Sequence, residues 1–461
     1  MKTILHLGKY DFDASDAGGV ERVIKNCAQA LKTDFHQVLA FFSKSDVRVR
    51  VENVLDYGNG QGKKGLSRGS EDHSGCLTKV LFPVHCVAGY APVNFFMSVY
   101  LKQLIRETAP DIIHAHMPGL MPFFCLKALK TRKTIVHWHA DVQDTRVAET
   151  WLYPFYKVME QQLLQAADVI IVTSPQYLDS SRSLKQHKKK CVVIPLGIDS
   201  AAEKINSQNK LSRNHGMDND ANPVGHAKDN FVRNTEENPV RNTEENKREN
   251  PDGNTERELE KLEGIIENFI KNKNLILSVG RLTYYKGYVF LIRAMKQFKM
   301  PDTVLVIAGD GPEKADLLRE IKTNHLESQV LLPGRISEND KNMLLARANA
   351  FCLPSIDRAE AFGLSLVEAM DFKLPLITAN VRGSGMNYVN IHNKTGLKVP
   401  PGNSPALASA IDRLLRNPKL SEKFGRNANQ RFRENFQSRI TAEKIKALYM
   451  KAISRQYSAN S

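Results

Sequence analysis

Short runs of consecutive apolar residues alternate along the chain with longer stretches whose apolar positions recur every three or four residues. The runs of the first half are I-L-H-L-G (4–8), V-L-A-F-F (38–42), D-I-I-H-A-H (111–116), T-I-V-H-W-H (134–139), D-V-I-I-V-T-S (168–174) and C-V-V-I-P (191–195). Those of the second half are L-I-L-S-V-G (275–280), T-V-L-V-I-A-G (303–309), V-L-L-P-G (330–334), A-F-C-L-P (350–354) and P-L-I-T-A (375–379). Strands apolar on both faces and separated by helices predict parallel sheets covered on both sides. After the first run, Gly18-Gly19 opens a helix that places Val20, Val23, Ile24, Cys27, Ala28 and Leu31 on one stripe. Met1 to Leu7, short and broken by His6, reads as the first strand and not as a signal peptide.

The pattern breaks between about Ser200 and Thr255, where Asn, Glu, Lys and Asp replace apolar residues. There V-R-N-T-E-E-N-P (232–239) is followed at once by V-R-N-T-E-E-N-K (240–247). A stacking repeat needs an apolar face and this unit has one valine, so a duplicated, disordered insert is expected. Asp218-Asn219-Asp220 forms a D-x-D inside it, with no apolar strand in front, and reads as chance composition. Leu259, Leu262, Ile266, Phe269 and Ile270 then share a helical face. The 461 residues exceed one ordinary core. The expected division is a first domain over 1–199, the insert over 200–258, a second domain over 259–430, and a C-terminal helix over 431–461 returning toward the first domain. The fold class is α/β: two Rossmann-like parallel-sheet domains with their carboxyl-edge loops facing one cleft.

Composition narrows the partners. Apolar residues make up 42% and charged ones 25%, a soluble balance. The six cysteines are scattered without a C-x-x-C pair, which fits a reducing cytoplasm and excludes a cysteine zinc site. The net charge of +15 fits anionic lipid or phosphate-bearing substrates. Its clusters, K-A-L-K-T-R-K (127–133) and H-K-K-K (187–190), carry no interleaved aromatics, and no nucleic-acid partner is expected. Val80 to Tyr100 holds no charge but is interrupted by Pro83, His85, Gly89, Pro92 and Asn94. It reads as a buried strand-loop-helix, with an exposed apolar surface touching lipid as the rival.

Three glycine-rich strand ends carry candidate chemistry. G-R-L-T-Y-Y-K-G (280–287) puts Arg281 and Lys286 just past a strand; G-D-G-P (309–312) follows the next; E-A-F-G-L-S-L-V-E-A-M (360–370) follows A-F-C-L-P-S. Glycine after a strand is ordinary turn chemistry, but three in succession, one with two cations, point to phosphate. In the third, Gly363 argues against one continuous helix, so Glu360 belongs to a loop and Glu368 to the helix behind it. His114 and His116, like His137 and His139, stand two apart and face one way on their strands. Four such imidazoles could bind zinc; the favoured reading shows one from each strand to the cleft and packs the other, and assigns no metal.

The order G-R-L-x-x-x-K-G, G-D-G-P, V-x-L-x-G-R and E-x7-E resembles the family 4 retaining glycosyltransferases of the GT-B fold. The resemblance spans the chain apart from the insert and takes in Gly18-Gly19-Val20-Glu21, H-W-H-A-D around His139 and P-L-G-I-D (195–199). G-S-G-M-N-Y-V-N (383–390) looks like the subset that builds bacterial surface polysaccharides, O-antigen and lipopolysaccharide among them. The resemblance implies that the second domain binds the nucleotide sugar and the first the acceptor. Glu360 would meet donor-sugar hydroxyls, and backbone N–H groups at Phe362, Gly363 and Leu364 would face the diphosphate. Glu368 would hold the ribose hydroxyls, while Arg281 and Lys286, beside Gly280 and Gly309, would neutralise the leaving diphosphate. The helix opened by Gly18 and Gly19 would also point at it, and His139 would meet the sugar. Asp11, Asp13 and Asp16, on the loop after the first strand, are turn residues or acceptor-side candidates.

Ala361 and Lys373 depart from the family pattern, each replacing a usual glycine. The expected activity is transfer of a sugar, mannose as first guess, from a GDP- or UDP-linked donor to a glycan or lipid-linked acceptor, with retention and without a cofactor. The expected place is the inner face of the cytoplasmic membrane, peripherally bound. Rivals are a nucleotide-sugar epimerase or sugar-phosphate synthase of the same fold, and a non-catalytic nucleotide- or glycan-binding protein.

Overall fold

The computed structural model describes residues 1–12, 18–53, 77–88, 91–142, 153–205, 207, 256–297, 300 and 302–457. The octapeptide repeat and the D-x-D lie outside the described residues, as do Asp13 and Asp16.

The apolar runs become two sheets. The first has eight strands in the order 191–193, 169–172, 133–138, 112–117, 2–10, 35–43, 77–83, 50–53. All its pairings are parallel except that of 50–53 with 77–83. The second has six, in the order 330–334, 303–308, 274–279, 350–353, 376–379, 396–399, all parallel. That order is the doubly wound one, and its direction reverses between 274–279 and 350–353. The first sheet reverses likewise between 2–10 and 112–117. At such reversals neighbouring loops diverge at the carboxyl edge and leave a crevice. Pro333 is accommodated because its strand is an edge.

Both faces of each sheet are covered. Ile276, Leu305 and Ile307 pack toward Leu291 and Ile292 and toward Leu407, Ile411 and Leu414, while Leu275, Leu277 and Val306 pack toward Ile266, Leu344 and Val367. The helix Ser438–Tyr457 leaves the second domain and seats Ala442, Ile445, Tyr449 and Ile453 against Ile4, Ile112, Ile135 and Ile171 of the first sheet. At the joint, Asp371 accepts from Ser200 Oγ at 2.7 Å and from Ala202 N–H at 3.0 Å, tying the start of the linker to the second domain.

The uncharged segment is more elaborate than a strand-loop-helix. Strand Leu77–Pro83 is followed by a hairpin of Cys86–Ala88 with Ala91–Val93 and then helix Met97–Thr108. Val80 and Phe82 are buried, whereas Val87, Phe95, Phe96 and Val99 are exposed. The segment is thus buried in its strand, as the first reading expected, and leaves an exposed apolar surface on its hairpin and helix. Lys373 has φ +58°, the left-handed conformation that a glycine usually takes at a helix end.

Candidate active site

The loops leaving strands Asn274–Val279 and Ala350–Leu353 meet where the second sheet reverses. Gly280 continues the ladder by donating to Ala308 O at 3.0 Å, and Gly309 by donating to Gly334 O at 2.8 Å. The short turn Tyr284–Lys286 then carries Lys286 back beneath the opposite loop, where its Nζ lies 2.6 Å from Glu360 Oε2. Ser355 Oγ donates to the same oxygen at 3.1 Å. Burial alone would lower the Lys286 pKa, but the Glu360 carboxylate, with Tyr288 and Tyr285, outweighs it and raises it above the ordinary value. A buried pair of this kind is sensitive to loss of either member, because the survivor is left uncompensated. Ser384 Oγ donates to Glu360 O at 2.5 Å, and Gly385 N–H to Ala361 O at 3.0 Å, so the G-S-G-M-N-Y-V-N stretch shapes the glutamate loop. Arg281 is exposed and has no hydrogen bond or ion pair among the described residues.

Gly363 adopts φ +87° and ends that loop at the start of helix Leu364–Asp371. An added Cβ would also stand 2.9 Å from Leu366 Cδ1, so the position suits glycine on two counts. Phe362 is buried and packs edge-on to Phe436, with ring centroids 5.9 Å apart. Across the cleft, Gly19 begins helix Gly19–Ala30 so close to Leu364 that a Cβ there would fall 2.5 Å from Leu364 Cδ1. Two helix starts from different domains thus meet, which brings the positive ends of two dipoles close together. Their repulsion is offset where an anion lies between them. Gly18 N–H is already occupied, donating to Glu21 Oε2 at 3.0 Å.

Glu368 does not stand free as the sequence reading implied. Its Oε1 accepts from Lys341 Nζ at 2.7 Å and from Arg22 Nη1 at 3.0 Å. Arg22 Nη2 also reaches Glu338 Oε1 at 2.6 Å, and Lys341 Nζ reaches Glu338 Oε2 at 2.8 Å. Two cations and two carboxylates thus neutralise one another, with Arg22 contributed by the first domain. A second contact joins the domains where the Arg358 guanidinium donates to the Asp141 carboxylate and to Ser180 O, the latter at 2.8 Å. Ser180 Oγ in turn donates to Gly383 O at 3.0 Å. Sequence reading missed Arg22, Lys341, Arg358 and Asp141. No local signal marks the first three, since a lone charge on a helix or loop reads as solvated surface.

In the first domain His139 follows strand Lys133–Trp138 and its backbone N–H donates to Met117 O at 2.9 Å. The residue is 4% exposed, and burial pushes its pKa down to about 3. The expectation that each histidine pair shows one ring to the cleft is corrected here: His114, His116, His137 and His139 are all buried, joined by His6, and of the five His139 alone lies past the carboxyl end of its strand, the edge that borders the cleft. The parallel register stacks them side by side on one face of the sheet. Two triples, His6-His114-His116 and His116-His137-His139, bring nitrogens within 4.8 Å of one another, close enough for a metal ion. Asp11 is buried and lies 3.2 Å from Lys79 Nζ, which also pairs with Glu52 at 3.0 Å. The Asp11 carboxylate is therefore committed to a buried cation, which disfavours a role as base for an acceptor hydroxyl.

Known proteins agree with this arrangement. Residues 17–202 match the family model described as Glycosyltransferase Family 4, and residues 263–431 the one described as Glycosyl transferases group 1. The chain is 28% identical over 367 residues to the O-antigen chain mannosyltransferase C of Escherichia coli, covering 79% of this chain and 80% of that one. It is 28% identical over 349 residues to the D-rhamnosyltransferase WbpZ of Pseudomonas aeruginosa, covering 75% of each. Among solved structures, sucrose-phosphate synthase from Thermosynechococcus elongatus superposes with TM-score 0.64 at 20% identity, over the full length of both chains. Anabaena HepE in complex with UDP superposes with TM-score 0.60 at 16% identity, covering 98% of this chain and all of that one. With a family model matched on each side of the cleft and the fold shared throughout, this chain belongs to the family 4 glycosyltransferases of the GT-B fold.

Proposed function

We propose that the protein transfers a hexose, mannose first among candidates, from a GDP- or UDP-linked donor to a glycan or lipid-linked saccharide during assembly of a bacterial surface polysaccharide. The observation that carries this reading is the meeting of two helix starts beside Lys286 and the unpaired Arg281. Those groups would offer positive potential to a leaving diphosphate, with Lys286 balanced in part by Glu360. Glu360, fixed by Lys286 and Ser355, would accept hydrogen bonds from donor-sugar hydroxyls. Glu368 would take the ribose hydroxyls with Lys341 still beside it, and His139 would meet the sugar from the other domain. The mannosyl- and rhamnosyltransferases of O-antigen assembly to which the chain is similar support the polysaccharide role.

Retention of anomeric configuration fits the commitment of the nearby carboxylates: Glu360 is paired with Lys286 and Asp11 with Lys79. Among the described residues no helix is long and apolar enough to cross a membrane. The exposed Val87, Phe95, Phe96 and Val99, next to the exposed Lys102 and Arg106, support peripheral binding to anionic lipid at the inner face of the membrane. Screening nucleotide sugars for protection against thermal unfolding tests the donor reading, since only a ligand of the folded state raises Tm. The expected result is stabilisation by one GDP- or UDP-sugar and release of its nucleoside diphosphate only when acceptor is added. Conversion of the donor without acceptor would favour an epimerase; binding without turnover would favour a non-catalytic protein.

A further inference from the structure

Five histidines occupy one face of three neighbouring strands in the first sheet. His6 lies on Lys2–Tyr10, His114 and His116 on Ile112–Met117, and His137 and His139 on and just past Lys133–Trp138. None is more than 5% exposed. Three of them, with one glutamine, form a continuous chain. Gln37 Oε1 is 2.8 Å from His6 Nε2; His6 Nδ1 is 3.1 Å from His116 Nε2; His116 Nδ1 is 3.1 Å from His139 Nε2. The other two rings brace it: His114 stacks on His116 with centroids 4.4 Å apart, and His137 on His139 at 4.1 Å. His114 is held separately, by Tyr449 OH at 2.6 Å from its Nδ1.

A chain of neutral imidazoles has a direction. Each ring owns one N–H and one lone pair, so fixing the role of one nitrogen fixes that of the other. The Gln37 carbonyl oxygen only accepts, so His6 Nε2 donates to it and His6 Nδ1 is left as an acceptor. His116 Nε2 must then donate to His6, and His116 Nδ1 must accept from His139 Nε2. The chain ends on a lone pair at His139 Nδ1, a buried atom with no hydrogen-bond partner. Burial, with mutual repulsion among the rings, keeps all of them uncharged: His6 is pushed down to about 4, and His116 well below its ordinary value.

The spacing would also suit a metal ion, but the facing nitrogens already stand in donor–acceptor pairs, and His116 would be required by both triples. The hydrogen-bonded chain accounts for the same contacts without an added group. We propose that Gln37, His6 and His116 are positioning residues that hold His139 in its Nε2–H tautomer, so that Nδ1 meets the donor sugar as a hydrogen-bond acceptor. The inference rests on the reading that His139 faces the sugar. It makes a glutamine three strands away a determinant of how the site receives a hydroxyl group.

The test is nitrogen-15 NMR of the full-length protein labelled at histidine, at pH 7.5. His6, His116 and His139 should each show a protonated Nε2 and a bare Nδ1. Gln37→Met removes the anchoring acceptor, so His139 should populate both tautomers and kcat should fall about tenfold, the scale on which outer partners of functional histidines act. Tyr449→Phe disturbs the same cluster outside the chain and should leave both the His139 tautomer and kcat as they were. A wild-type His139 protonated at Nδ1 would overturn the proposal, as would a stoichiometric transition metal in the purified protein. A Gln37→Met protein with altered tautomers and unchanged kcat would overturn the link to the sugar, and with it the role given to His139.

Discussion

Acid should unfold the first domain through these same histidines. An unfolded histidine takes up a proton near pH 6.5, whereas His6 does so in the folded state only at about 4 and His139 at about 3. Because the unfolded chain binds more protons in that window, stability is complete above pH 6.5 and falls as the pH drops below it. Between pH 7.5 and pH 5 each such residue costs about 2 kcal/mol, so His6 and His139 together cost about 4 kcal/mol. His114, His116 and His137 shift in the same direction and add to the loss. Native proteins have only about 5–15 kcal/mol in total, so the domain should approach its unfolding threshold near pH 5. Both tryptophans, Trp138 and Trp151, belong to the first half of the chain, so their fluorescence follows this domain. The urea midpoint read from it should fall by more than about 1 M over the range. A midpoint unchanged from pH 7.5 to pH 5 would refute the reasoning, because it would require the rings to be hydrated or already charged in the folded protein.

Other perturbations should separate binding from chemistry. Glu368→Ala removes contacts shared by substrate and transition state, and should weaken donor binding by about 10–100-fold, the equivalent of one charged hydrogen-bonding group, with kcat little changed in a donor titration. Lys286→Ala strips charge from the leaving-group site and should lower kcat by about 10²–10³. It also leaves Glu360 buried without its partner, so Tm should drop as well, and a variant with normal kcat would remove Lys286 from the chemistry. Deleting residues 209–254, whose composition offers little apolar area to bury, should leave Tm unchanged and turnover within about tenfold. An insoluble or inactive deletion protein would show that the segment is structural.

How much was legible follows from what each sequence pattern measures. Runs such as T-V-L-V-I-A and L-I-L-S-V became central parallel strands because burial on both faces demands unbroken apolar sequence. Strand Leu77–Pro83 was read only from Val80 onward because Lys79 interrupts its pattern, and only the folded chain shows that Asp11 and Glu52 neutralise that lysine. Gly363, Glu360 and Lys286 could be singled out because glycine and paired charges past strand ends have few other uses. Arg22 and Lys341 could not, since each sits on a helix like any solvated residue until packing within the second domain brings Lys341, and packing between the domains brings Arg22, to Glu368. The pairing of histidines on single strands was visible in their spacing. Their assembly into one buried row was not, because it depends on the register of three strands and on Gln37 in a fourth.

Transfer of a sugar from a nucleotide to an acceptor, at the cleft between the two sheets and with retention, can be observed in a single reaction. The protein is incubated with the stabilising nucleotide sugar and a lipid-linked saccharide, and the anomeric proton of the product is recorded by NMR. One new glycosidic linkage with the donor's anomeric configuration is expected, with one nucleoside diphosphate released per linkage formed. An inverted linkage, or donor consumed with no saccharide extended, would contradict the proposed transfer.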